Sequence, residues 1–166
     1  IDNWMQMQGN ASYDEGGACA ARGQVNGAIM AAMLADPWFN LPPPKSIDRE
    51  AFSIEAVRGL SLEDGAATLT AFTAAAVARA IDHLPQRPAE IHVAGGGRHN
   101  ATLMAMIAER TGARVLGVDH LGWDGDALEV QGFAYMAVRH LKALPISFPG
   151  TTGAPAPMTG GVLFRP

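Results

Sequence analysis

Three consecutive glycines, Gly95, Gly96 and Gly97, stand between a run that reads as a short strand, Glu90 to Ala94, and one that reads as a helix, Asn100 to Thr111. Without Cβ atoms the chain there offers bare backbone, and the helix beyond begins with N–H groups that have no intrahelical acceptor. Such a place suits a nucleotide; a tight turn alone usually needs only one glycine. No Gly-Lys-Ser/Thr follows, so the loop is not a Walker loop. It is also a poor dinucleotide fingerprint: counted from Gly95, Gly97 falls correctly, but Asn100 stands where the third glycine belongs. Asp119, ending the next strand, sits where a ribose-binding acid would, which keeps a degenerate dinucleotide-binding domain of an oxidoreductase open as an alternative.

Other residues that bear chemistry are fewer. Glu129 opens a helix and lies about 100° round from the apolar stripe Val130, Ala134, Ala137 and Leu141, at the flank of an expected buried face where a cleft can form. An acid so near a helix N-terminus is equally explained by the macrodipole. His92 alternates with Ile91 and Val93, as an outward strand residue or a satisfied core histidine does, and His99 lies in the glycine loop within reach of a nucleotide. His83, His120 and His140 lack the spacing of a metal site with either. Cys19, the single cysteine, sits in an Ala/Gly-rich stretch with no His within four residues and reads as a small buried hydrophobe.

The elements that must hold these residues follow from periodicity and punctuation. Residues 2–8 and 17–23 read as short helices joined by the turn-rich Gly9-Asn10-Ala11-Ser12-Tyr13-Asp14. Asn26 caps a helix through Leu34, with Ile29, Met30, Met33 and Leu34 on one face, and Pro37 ends it. Leu41-Pro42-Pro43-Pro44-Lys45-Ser46 cannot be helical; it is a stiff spacer or a means of presenting Lys45, Ser46 and Arg49 at a site. Ser61, with Asp64 three residues on, starts the longest helix, an Ala-rich run to Leu84 that should be buried on much of its circumference. A second strand, Arg114 to Val118, follows Gly112, so the glycine loop belongs to a strand-helix-strand unit for which a parallel pair is the expectation. A further helix runs from about Asp126 to Lys142, and the tail from Pro145 is rich in Gly, Pro and Thr.

Composition bounds what such a unit can be. The 166 residues suffice for one ordinary domain, and 48% hydrophobic content fills a real core. The net charge of −4, from 16 acidic against 12 basic residues, with no run of Lys or Arg, argues against a nucleic-acid partner. No stretch approaches roughly 18 apolar residues and no secretory signal opens the chain, so a membrane is not expected either. The chain opens without an initiator Met, straight into helix-like sequence, which reads as a cut end.

Several motifs in order resemble a known family. Gly95-Gly96-Gly97-Arg98-His99-Asn100, then Gly122 through Asp126-Ala127-Leu128-Glu129 and Phe133-Ala134, then Pro149-Gly150-Thr151-Thr152-Gly153-Ala154 look like the C-terminal half of anhydro-N-acetylmuramic acid kinase, and Pro43-Pro44-Lys45-Ser46 with Arg49-Glu50-Ala51-Phe52 is similar to it as well. The resemblance covers nearly all of the chain. It implies an α/β fold: the C-terminal part of a ribonuclease-H-like, actin-like ATPase domain, helix-rich with a short parallel strand pair, in the superfamily of actin, hexokinase and the heat-shock chaperones. It divides the chain into a helical segment, 1–60, and an αβ portion, 61–166, with the N-terminal domain absent.

The activity implied is cytoplasmic: water opens the 1,6-anhydro bond of the amino sugar while ATP phosphorylates its 6-oxygen, giving N-acetylmuramic acid 6-phosphate for cell-wall recycling. The glycine run then lies beside the adenosine, which makes Gly95, Gly96, Gly97 and Asn100 the cofactor-binding residues, and Glu129 corresponds to a glutamate that helps place the attacking water and sugar. The family's phosphate loop, its catalytic aspartate and a second phosphate-contacting turn belong to the N-terminal half, which would therefore be a partner holding most of the Mg²⁺-ATP phosphates. This chain alone is then expected to be inactive, because phosphoryl transfer depends on gripping phosphates and metal. A homodimer is also implied, and a non-catalytic dimerisation module is the remaining alternative.

Overall fold

The computed structural model describes residues 1–48 and 51–164. Its spine is α3, Leu62–Ile81, which the Ser61 hydroxyl caps by accepting from Asp64 N at 3.1 Å. The small side chains of Gly65, Ala66, Ala67, Ala71, Ala74 and Ala75 let other elements approach its axis from several sides, and all are buried. The helix stops at Ile81, three residues short of the expected Leu84, and a turn leads to the prolines.

Three apolar clusters form around this helix. On one side α1, Asp2–Gln8, lays Trp4 across Gly65 so closely that a Cβ there would come within 2.4 Å of the ring. Trp4 is fully buried and donates its indole N–H to Leu62 O at 2.9 Å, in a cluster with Met5, Cys19, Ala20, Val57, Ala66 and Leu69. Losing an aromatic ring at such a joint typically costs about 3–5 kcal/mol. On a second side α2, Gly27–Leu34, capped by the Asn26 side chain as expected, brings Leu34 with Phe39 onto Phe72 and Ala75, and Phe52 completes a set of edge and stacked rings. On the third, Leu103 and Ile107 of α4, Ala101–Thr111, pack on Ala74, with Ile91 and Val115 of the sheet beside them. Residues of the first 60 share their core with α3.

Two expectations for the first part change in detail. Residues 17–23 form no continuous helix: two single turns, Glu15–Gly17 and Ala20–Arg22, wrap the buried Asp14, whose carboxylate accepts from Cys19 N at 2.7 Å and Ala20 N at 2.9 Å. Cys19 is buried, as expected, and burial followed by the carboxylates of Asp14 and Glu63 pushes its thiol up. The proline spacer is non-helical, but Lys45 faces inward instead of being presented: its ammonium donates to Trp38 O and Phe39 O and lies 4.4 Å from the Trp38 ring centroid. Arg49 and Glu50 lie outside the described residues.

β1, Glu90–Val93, and β2, Arg114–Gly117, pair in parallel, Glu90 against Arg114 through Val93 against Gly117, with α4 as the connection. This is the strand-helix-strand unit anticipated. A final helix pair, α5, Leu128–Leu141, and the short α6, Pro149–Thr152, leads into a tail that returns through an antiparallel bridge between Ser147 and Met158. α5 departs from expectation. Its stripe of Val130, Ala134, Ala137 and Leu141 is exposed, and the helix has no buried residue.

Candidate nucleotide site

The glycine loop leaves the C-terminal end of β1, the end at which open parallel sheets place their ligands. Gly95 has φ 75° and ψ −178°, a region open in practice only to glycine, and this reversal turns the chain off the strand. A single turn, Gly96–His99, follows before α4 begins, so the loop does not run directly into the helix as the sequence suggested. Asn100 ends that turn and caps α4, its Oδ1 accepting from Leu103 N at 2.8 Å.

Gly96 and Gly97, with His99, Asn100 and Leu103, form one wall of a cavity of about 800 Å³; Tyr13, Asp14, Glu15 and Gly16, with Ile1 and Asp2, form the other. Among the described residues nothing lies within 4 Å of a Cβ built on Gly95 or Gly96, so the loop presents open backbone and is not packed shut. The second wall is pinned to the first: Thr102 donates to Gly17 O at 2.8 Å, and Gly17, at φ 77°, lies so close to Asn100 that a Cβ there would come within 2.2 Å of its Oδ1. Nothing in the sequence singled out this Tyr13–Gly17 wall, because its residues are 78 or more positions from the loop they face.

The predicted site residues divide into two neighbouring hollows. Gly96, Gly97 and Asn100 share the large cavity with His99. Glu129 does not line it; with Gly95, Gly125 and Asp126 it borders a separate groove of about 270 Å³ on the far side of Gly95. Glu129 is exposed at the start of α5, so the buried face on whose flank it was expected is missing from these residues. His92 is half-buried, with Nε2 3.4 Å from Glu90 and Nδ1 without a hydrogen-bond partner among the described residues, so of the two readings, outward strand residue or satisfied core histidine, the second does not hold.

Asp119, the candidate ribose acid, is taken by Arg98: Nε donates to its Oδ2 at 2.8 Å. The same guanidinium forks onto both oxygens of Asp126, at 2.7 and 2.9 Å, and donates to Gly95 O at 3.0 Å. Its side chain is only 5% exposed. Hydrogen bonding first to Asp126 and then to Asp119 pushes the guanidinium pKa up, and bonding to Arg98 holds both carboxyls below their usual range. Carboxyl pKa values lowered in the fold stabilise it above the ordinary carboxylate range and cease to do so only as pH falls through the lowered values; the cluster is complete at neutral pH. The sequence quoted Arg98 inside a motif, but its three acceptors come from three different turns and have no common spacing.

Among the described residues no group of three or more His, Cys, Asp or Glu is placed to hold a metal ion, and no helix is long and apolar enough to cross a membrane. The loop borders a hollow of about 800 Å³ beside bare backbone.

The family model for anhydro-N-acetylmuramic acid kinase matches residues 1–166, and the chain belongs to that family. Similar proteins carry the same name: the one from Rhizorhabdus wittichii is 58% identical over 166 residues, covering 100% of this chain and 46% of that protein. Those from Zymomonas mobilis and Rhodospirillum rubrum are 52% and 51% identical, covering 97% and 99% of this chain and 44% of each relative. The chain spans about half the length of the curated relatives it matches.

Proposed function

We propose that these residues form the nucleoside-side part of an ATP-dependent kinase that opens the 1,6-anhydro bond of anhydro-N-acetylmuramic acid and phosphorylates its 6-oxygen, in cytoplasmic cell-wall recycling. The observation that carries this reading is the open backbone of Gly96, beside Gly97 with Leu103 at its back, in the wall of the large cavity at the end of the parallel strands. Nothing there needs to move for a purine nucleoside to lie against backbone. The fold is that of part of an actin-like ATPase domain, with the remaining domain supplied by the other half of the kinase.

In this scheme Gly96, Gly97 and Asn100 seat the adenosine, and Gly95, which borders the neighbouring groove, aims the loop that carries them. His99 and the Tyr13–Gly16 wall exclude water from its other side. ATP would supply the phosphoryl group, and Mg²⁺ would be held by its phosphates and by the remaining half of the kinase. Glu129 borders the neighbouring groove, across Gly95 from the nucleoside, and there orients the water and the sugar. Against the oxidoreductase alternative stands the engagement of Asp119 Oδ2 by Arg98.

Reconstitution tests the assignment. The chain alone should give no product, and mixing it with the missing half, or fusing it to the corresponding part of the Rhizorhabdus wittichii relative, should give ATP- and anhydrosugar-dependent sugar phosphate. Glu129→Ala should cut kcat by about 100-fold or more, the range of a positioned acid-base group, with little change in KM for ATP. Normal turnover by Glu129→Ala would remove that residue from the mechanism.

A further inference from the structure

We propose that Arg98 is a positioning residue for the nucleotide: by joining three turns at the ends of the two strands it fixes the left-handed Gly95 reversal, and so sets how Gly96 and Gly97 face the ligand. This rests on the nucleotide reading above and adds to it a residue that makes no contact with the cavity itself.

The argument starts from what an arginine needs. A guanidinium removed from water must satisfy a planar fork of donors, and Arg98, at 5% side-chain exposure, does so with four hydrogen bonds spread over three segments. One goes to the carbonyl of Gly95, whose orientation is set by the backbone reversal that starts the loop. One goes to Asp119, in the turn Val118–Leu121 that leaves β2. Two go to Asp126, in the turn before α5. Gly95 N also donates to Gly125 O at 2.9 Å, so the first and third segments are tied on both sides of the arginine.

The neighbourhood is shaped for this side chain. A Cβ on Gly125 would lie 2.5 Å from Arg98 Nε, so the turn passes over the guanidinium only because position 125 lacks a side chain. Asp124 Oδ1 accepts from Asp126 N at 3.0 Å and Ala127 N at 3.1 Å, which orients the Asp126 carboxylate and the start of α5 together. Both carboxylate partners are themselves exposed, Asp119 by 56% and Asp126 by 71%, so neither is needed to fill a core. Apolar packing would hold a turn just as well as this cluster does. The Gly95 carbonyl already accepts from Arg98 N at 3.2 Å within its own turn; what only the guanidinium adds is the bond that ties this carbonyl to Asp119 and to Asp126, three residues before Glu129.

The test uses the complete kinase, assembled from this chain and its other half, with ATP as the probe. Arg98→Ala is expected to raise KM for ATP roughly tenfold or more, the effect of one to two charge-assisted hydrogen bonds, and to leave KM for the anhydrosugar within about twofold. Arg98→Lys keeps the charge without the fork and should recover little of the loss. Asp126→Asn, at an exposed position and still able to accept one bond, guards against a misfolded arginine variant: it should raise KM for ATP in the same direction with a smaller fall in melting temperature than Arg98→Ala. Wild-type KM for ATP in both Arg98→Ala and Asp126→Asn overturns the positioning role while leaving the nucleotide site standing. Equal rises in both KM values, with a lowered melting temperature, overturn it in favour of a purely structural role. A wild-type assembly that binds no ATP removes the nucleotide reading, and this proposal with it.

Discussion

Gly95 and Gly96 are adjacent, equally open to solvent-side space, and under different constraints. Neither would meet a neighbour with an added Cβ, but only Gly95 has a positive φ. Alanine at 95 must therefore strain the backbone, at a cost of about 1–3 kcal/mol, whatever the ligand. Alanine at 96 adds a methyl to a cavity wall and nothing else. Gly95→Ala should lower the denaturation midpoint, while Gly96→Ala should keep it and weaken ATP binding by roughly tenfold through the occupied space. If Gly96→Ala binds ATP as tightly as the parent in calorimetry, the nucleoside does not lie on this wall. The sequence carried the bare backbone plainly, because three missing Cβ atoms are a local property of three letters. It did not carry the division of labour among them, since that depends on dihedral angles fixed from outside the loop by Arg98 and by the turn at Gly125.

At the scale of elements, α4 depends on the same residue that the resemblance gave to the ligand. Asn100 caps the helix with its Oδ1, so its loss removes an acceptor for Leu103 N before any nucleotide is considered. Asn100→Ala should cost about 0.5–2 kcal/mol in chemical denaturation, whereas Asn100→Ser, another good cap, should stay within a few tenths. Comparing ATP affinity in the serine variant then isolates any ligand contact of the amide, as its stability is that of the parent. Elements whose cause is local were legible in this way: the caps at Asn26 and Ser61, the Ala-rich α3 and the parallel pair around α4 all stand where periodicity and punctuation put them. The Tyr13–Gly16 wall and the inward Lys45 were not, because each is fixed by partners that no short window contains.

Over the whole molecule, α5 poses a problem that the described residues do not solve among themselves. Val130, Phe133, Val138 and Leu141 spread over one side of the helix and are 69, 62, 50 and 65% exposed. The stripe read from the sequence is real, and the described residues do not bury it. Soluble monomers seldom leave more than a few hundred Å² of contiguous apolar surface uncovered. The occupant we assign is the other half of the kinase: the relatives carry more than half their length outside the matched region, as part of the same polypeptide, which places it at high effective concentration. A paired Val130→Glu and Leu141→Glu substitution tests this, because both side chains already face water and the isolated chain should melt as the parent does. The same pair should abolish assembly with the other half in analytical ultracentrifugation, and with it the reconstituted kinase activity, since two charges would have to be desolvated in an apolar contact. If instead the isolated chain sediments as a dimer that the substitutions dissolve, while assembly with the other half persists, then a second copy covers this face and the assignment of α5 is wrong.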